Sequence, residues 1–254
     1  MVIELIIFFI LGTVLGSFYN VVGYRLPKEE SVIRPKHSYC PKCHNRLKWY
    51  ELIPIVSYVI QLGKCRNCHN KISFFYPMIE LLTGILFAVS FYSFGYSYEL
   101  IIALSLSSLF CIVIVSDVNY LIIPDEVTLI SAILIIIAQF LIGGLMGGLK
   151  AIGSGILLFG VMYLIMLFGN FMFKKESLGG ADIKLMFVAG IALGPILGLL
   201  VIFIASVIAL PVSLIVYIVD RENVIPFGPF IVAAMLILFL LKIDLTIFSN
   251  LFLK

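Results

Sequence analysis

Long apolar runs broken by short polar ones set the pattern of this chain. Runs of about 20 apolar residues, enough to cross a bilayer, recur at 2–24, 78–95, 98–116, 124–143, 151–173, 196–219 and 226–248. A shorter one, 183–194, would be roughly 18 Å long as a helix. Gly194–Pro195 separates it from the next run. No alternating strand pattern of the barrel type appears. The expected fold is an all-α integral membrane protein with about eight transmembrane helices.

Composition agrees. The chain has 254 residues, 62% hydrophobic and only 12% charged, against about 25% charged in soluble domains. No basic residue precedes the first run and no small-residue cleavage site follows it, so a retained spanning helix is expected there.

Charge supplies the orientation. Segment 25–77 holds ten of the chain's 17 Lys and Arg and three acidic residues, Glu29, Glu30 and Glu51. The positive-inside rule places it in the cytoplasm. Both termini are then outside. The expected outside loops near 95–98, 144–150 and 194–195 hold one basic residue, Lys150; the inside loops hold Lys174, Lys175 and Arg221. Asp117 and Asp182 therefore share the cytoplasmic face, although they are distant in sequence.

Two C-x-x-C pairs, Cys40/Cys43 and Cys65/Cys68, lie in the same cytoplasmic segment. Thiols stay reduced there, and four thiolates suit tetrahedral Zn²⁺. Four cysteine ligands leave no open position, so the metal is expected to be structural. His37, His44 and His69 flank the pairs as substitute ligands or as surface histidines. Cys111, in an apolar run, reads as a core residue.

Asp117 and Asp182 admit two readings. Each could be an interface acid that caps a helix or pairs with a lysine, such as Lys184 near Asp182. Alternatively, two carboxylates facing one wet cavity suit water activation, with one ionised and one protonated. Glycines before Asp182 would let a substrate backbone approach closely. Asp125, after Pro124, fits the first turn of a helix beside Glu126, where a carboxylate meets the positive end of the dipole.

Four motifs in order resemble one family. They are "GSFYNVVGYRLP" (16–27), "CPKCHNRLKWYELIPIVSYVIQLGKCRNCHNKISFFYPMIELLTG" (40–84), "SDVNYLIIPDEVT" (116–128) and "GGADIKLM" (179–186). Together they closely resemble the type IV prepilin peptidases among the GxGD aspartyl proteases, over nearly the whole chain. Ala181 stands where the family's G-x-G-D has its second glycine, which would matter if that position needed positive φ.

The resemblance implies that Asp117 and Asp182 are the catalytic pair. The activity would be leader removal from type IV prepilins or pseudopilins on the cytoplasmic side of a bacterial inner membrane. It also implies N-methylation of the new N-terminus with S-adenosylmethionine, for which Gly63 and Glu80 are weak candidate residues, otherwise a turn glycine and a helix-start acid. Three regions follow: 1–24, the first transmembrane helix; 25–77, the zinc-binding loop and possible methyltransferase region; and 78–254, the transmembrane aspartyl protease domain. The bilayer is a partner and nucleic acid is not expected. Asp125, Glu126, Asp220 and Glu222 would attract a basic leader. The rival reading is a proton-coupled transporter with paired acids, although no internal repeat is seen. A zinc-loop membrane anchor would leave the two aspartates without a reason.

Overall fold

Glycines decide how the first long helices meet. Helix α1 (Val2–Arg25) is apolar on every side, so it has no stripe to mark an inner face. Its small residues mark one instead. A Cβ at Gly12 would sit 2.7 Å from the Thr83 carbonyl oxygen, and one at Gly16 would sit 2.9 Å from the Glu80 Cα. The partner is α3 (Phe75–Phe94). Close approach through small residues is how helices pack where lipid removes the hydrophobic drive.

The computed structural model describes residues 1–34, 37–40, 42–174, 179–219 and 225–243. Within them follow α2 (Val56–Ile60), α4 (Tyr98–Tyr120), α5 (Asp125–Phe173), α6 (Gly180–Leu193), α7 (Pro195–Val219) and α8 (Gly228–Leu240). Among the described residues five helices are long and apolar enough to cross a membrane; α6 and α8 are shorter, at 14 and 13 residues. Helix α4 is central and packs against α1, α3, α5 and α8, while α6 packs against α5, α7 and α8. Leu106, Leu109, Leu185, Met186, Ile191 and Met235 are fully buried between them. Ile6, Ile10, Phe203 and Val207 stay exposed on α1 and α7, as befits faces toward lipid.

Several expected boundaries move. The runs at 124–143 and 151–173 join in α5, which turns sharply at Gly144 (φ 60°, ψ −158°). A Cβ at Gly147 would lie 3.1 Å from the Gln139 carbonyl oxygen. In a straight helix, residues eight apart lie about 12 Å apart along the axis, so the chain has folded back. The loop expected over 144–150 is thus helical beyond one glycine, because Gly144 alone supplies the turn. Helix α4 runs on past 116 to Tyr120, where Leu121 adopts a left-handed conformation and its N–H bonds the Asp117 carbonyl. Helix α6 starts three residues early, at Gly180, so Asp182 lies in its first turn. Helix α8 spans 228–240; the expected extension to 248 lies outside the described residues beyond 243.

Segment 25–77 contains short helical turns at Leu26–Lys28 and Trp49–Leu52, α2, and two isolated bridges, Tyr39 with Arg46 and Lys64 with Lys71. It lies at the same end of the bundle as Asp117. Tyr24 at the end of α1 packs beside the tilted Tyr76 ring and edge-on to Tyr120, and Lys28 sits over the Tyr120 ring.

Candidate active site

Asp117 occupies the last turn of α4 and is only 6% exposed. The turn 121–124 then brings the chain into α5 at the same end. The backbone N–H of Gly228, at the start of α8, donates to the Asp117 carboxylate. A Cβ at Gly228 would sit 2.7 Å from Asp117 Oδ2 and 2.5 Å from Ile123 Cδ1. Only a glycine lets α8 start so close to the acid. Sequence reasoning missed Gly228; its signal was the "PFGPF" punctuation at 226–230.

Asp182 is half-buried in the first turn of α6, its own N–H bonded to the Gly179 carbonyl. Its Oδ2 lies 3.3 Å from where a Gly179 Cβ would be, and a Cβ on Gly180 would meet nothing within 4 Å. Asp182 lies in the electrostatic field of Asp117. The fold therefore brings together two acids 65 positions apart, beside backbone that is open to an approaching chain. Ala181 is inside the helix and is absent from the positive-φ positions. It packs against the main core, so the departure from glycine costs no backbone strain.

Lys184 does not pair with Asp182. Its Nζ lies 2.6 Å from Asp125 Oδ1, joining the starts of α5 and α6. Asp125 is in the first helical turn as expected, beside Glu126, but makes no side-chain cap. The pair is exposed (48% and 68%), so it contributes about 1 kcal/mol or less. Lys184→Met is accordingly expected to leave stability almost unchanged in detergent-titrated unfolding. Asp220 and Glu222 lie outside the described residues, as do Lys175 and Arg221.

The four cysteines converge. The Sγ atoms of Cys40, Cys43, Cys65 and Cys68 all lie within 4.8 Å of one another, and Cys40 Sγ is 3.9 Å from Cys68 Sγ. Tetrahedral Zn–S bonds of about 2.3 Å imply S···S separations of roughly 3.8 Å, so the residues fit zinc. The two halves are alike. In each, the first cysteine's N–H bonds an asparagine carbonyl (Asn45, Asn70), and its carbonyl accepts from a histidine N–H (His44, His69). Those histidines take φ of 55° to turn the chain, and among the described residues no histidine, His37 included, joins the cluster. The Asn70 backbone N–H and side-chain amide lower the Cys68 thiol to about 6, toward the thiolate that binds metal. Cys111 is fully buried in α4.

Gly63 and Glu80 take different places. Gly63 (φ 67°) is a buried turn residue whose Cβ would strike the Tyr58 hydroxyl at 2.9 Å. Glu80 is in the second turn of α3 and 8% exposed; its Oε2 accepts the Ile55 N–H at 2.7 Å, and Ser17 also bonds it. It ties segment 25–77 to the bundle. Ile55 itself (φ 60°, ψ −52°) sits in a tight three-residue turn closed by Val56 N–H on Pro54, a strained arrangement for a β-branched residue.

Comparison with known proteins adds a family. Residues 10–94 match the bacterial peptidase A24 N-terminal domain, and residues 103–214 match the type IV leader peptidase family. A prepilin leader peptidase/N-methyltransferase of Bacillus subtilis is 41% identical over 74% of this chain and 73% of its own. Proteins of the same description from Neisseria gonorrhoeae and Vibrio cholerae are 32% and 30% identical, over 87% and 93% of this chain and 84% and 96% of theirs. No solved structure matches. Nothing in these matches supports a transporter. With both family models aligned in order along the chain and its relatives matched over most of their own length, the chain belongs to the type IV leader peptidase family.

Proposed function

We propose that this chain is a membrane aspartyl endopeptidase that removes the short basic leader of type IV prepilins or pseudopilins at the cytoplasmic membrane face. It then methylates the new N-terminus. The observation that carries the reading is the placement of Asp182, on α6, in the field of Asp117, on α4, at one end of the bundle. The names of the relatives supply the substrate class and the second reaction. The basic balance of 25–77 supports the cytoplasmic side for that end, with the termini outside.

In the proposed mechanism the ionised aspartate takes a proton from water, and the water oxygen attacks the scissile carbonyl carbon. The protonated partner gives its proton to the carbonyl oxygen. The tetrahedral intermediate then collapses: one of its hydroxyls returns a proton to the partner carboxylate, the C–N bond breaks, and the leaving nitrogen takes a proton from the carboxylate that received one. The open backbone at Gly179–Gly180 would receive the extended leader junction. Exposed Asp125 and Glu126 stand at the same rim, although Lys184 already offsets Asp125.

Cys40, Cys43, Cys65 and Cys68 would hold Zn²⁺, which supplies folding free energy to a segment with almost no core. S-adenosylmethionine supplies the methyl group in the second reaction. The regions 1–24, 25–77 and 78–254 would serve as first helix, zinc loop with methyl-transfer function, and protease.

Co-expression with a tagged prepilin tests the reading. The expected product lacks its leader and carries one methyl on its N-terminus by mass spectrometry. An unprocessed precursor beside well-folded enzyme would contradict it. A finer expectation concerns Gly228→Ala. The new methyl must displace Asp117 or Ile123, and misplacing a reacting group by about 1 Å can cost roughly 100-fold. Cleavage should fall by at least tenfold on the order of that effect, at unchanged zinc content.

A further inference from the structure

A cavity of about 540 Å³ lies between the cysteine segment and the ends of α1 and α3, within the usual range for small-molecule sites. Cys40 and Cys65 line its roof, and Asn20, Tyr24, Tyr76 and Glu80 line its floor. None of these floor residues belongs to the aspartate pair.

Asn20 gives the strongest sign of a ligand. It is 2% exposed. Its Nδ2 donates to the Gly16 and Tyr76 carbonyl oxygens, which fixes the amide orientation, since a flipped amide would set oxygen against two carbonyls. Its Oδ1 is then left with no hydrogen-bond partner. A buried acceptor without a donor is costly, so such a group calls for a partner that the chain does not provide.

The other walls say what that partner is. Glu80 contributes a buried carboxylate, and the Tyr24 and Tyr76 ring centroids lie 5.3 Å apart, the rings tilted by 31°. A carboxylate, a lone amide acceptor and aromatic faces together select a cation that also carries N–H groups. Arg25 and Lys28 line the same cavity and suit a carboxylate. The lining thus matches a zwitterion with additional positive charge.

We infer that this cavity binds the sulfonium methyl donor, with Asn20 and Glu80 receiving its ammonium and the tyrosines facing its cationic centre. This rests on the methyltransferase reading and adds a location to it. It also gives the cysteine segment a second purpose, because that segment closes the cavity over the membrane helices. The Glu80–Ile55 bond holds the roof in place.

The test uses purified full-length protein in detergent and direct binding rather than turnover. S-adenosylmethionine and sinefungin, which carries an amine in place of the sulfonium, should bind roughly tenfold or more tighter than neutral S-adenosylhomocysteine. Asn20→Leu should weaken all three ligands alike, and Tyr24→Leu should weaken the two cations most and narrow that gap, in preparations that keep their zinc. Ultraviolet cross-linking of radiolabelled donor to the wild-type chain, which needs no variant, should label peptides containing Tyr24, Tyr58 or Tyr76. Label elsewhere, or unchanged binding in both variants, would overturn the location while leaving the methyltransferase reading intact. A wild-type chain that neither binds the donor nor methylates processed prepilin would overturn both.

Discussion

Serine at Cys40, Cys43, Cys65 and Cys68 together is expected to empty the metal site and unfold segment 25–77. Among the described residues from 25 to 74, only Cys40, Gly63 and Cys65 are buried. A segment of that kind cannot hold itself by apolar burial. Among those described residues the regular structure is two isolated bridges and a few helical turns. Structural zinc sites supply about 10–16 kcal/mol in small peptides at neutral pH, far more than the remaining contacts. Metal analysis should fall from one zinc per chain to none, and limited proteolysis should cut between the first and third helices. Methyl-donor binding should vanish with the roof of its cavity. Leader cleavage should persist, because the aspartates stand on α4 and α6. A variant that stays protease-resistant without metal would show that zinc is not what folds the segment.

Asp117→Asn and Asp182→Asn should each stop cleavage. Asparagine has the same shape, so the buried site at Asp117 opens no void, and the Gly228 amide still finds an oxygen. What is lost is the ability to take up or release a proton, which contributes typically 10²–10⁴-fold. Losses of that order are expected for either change, read by immunoblot of a tagged prepilin at matched enzyme levels. Zinc content and methyl-donor binding should be unaffected, because neither site contains these residues. Cleavage at the wild-type rate by either variant would make that aspartate structural.

Much of this was legible along the chain. Hydropathy placed most helices within a few residues, since the length of an apolar run reports the axis directly. The cysteine spacing announced a four-thiolate site, and charge counting grouped the two aspartates, which the fold sets at one end of the bundle. What hydropathy does not report is rotation about the axis. Helix α1 is apolar all round, so its inner face is set by small residues such as Gly12, Gly16 and Gly23, which alternation and periodicity do not flag. The turn at Gly144 carries no polar residue, so a continuous apolar stretch hid a reversal. Lys184 is two residues from Asp182 but points to Asp125, because neighbours two apart on a helix do not face each other. Asn20 and Gly228 drew no notice because their meaning is purely spatial: one is an acceptor without a donor, the other a space too small for a methyl.

The most direct test of the central claim is a cycle of four enzymes: wild type, Asp117→Asn, Asp182→Asn and the double variant. Each is assayed on one prepilin in membranes at equal levels. Residues that act as a unit are strongly non-additive. The proposed pair predicts that the double variant cleaves no more slowly than either single one, because the first loss already removes the machinery. Losses that multiply, or one single variant that retains cleavage, would contradict the account of Asp117 and Asp182 as one water-activating pair.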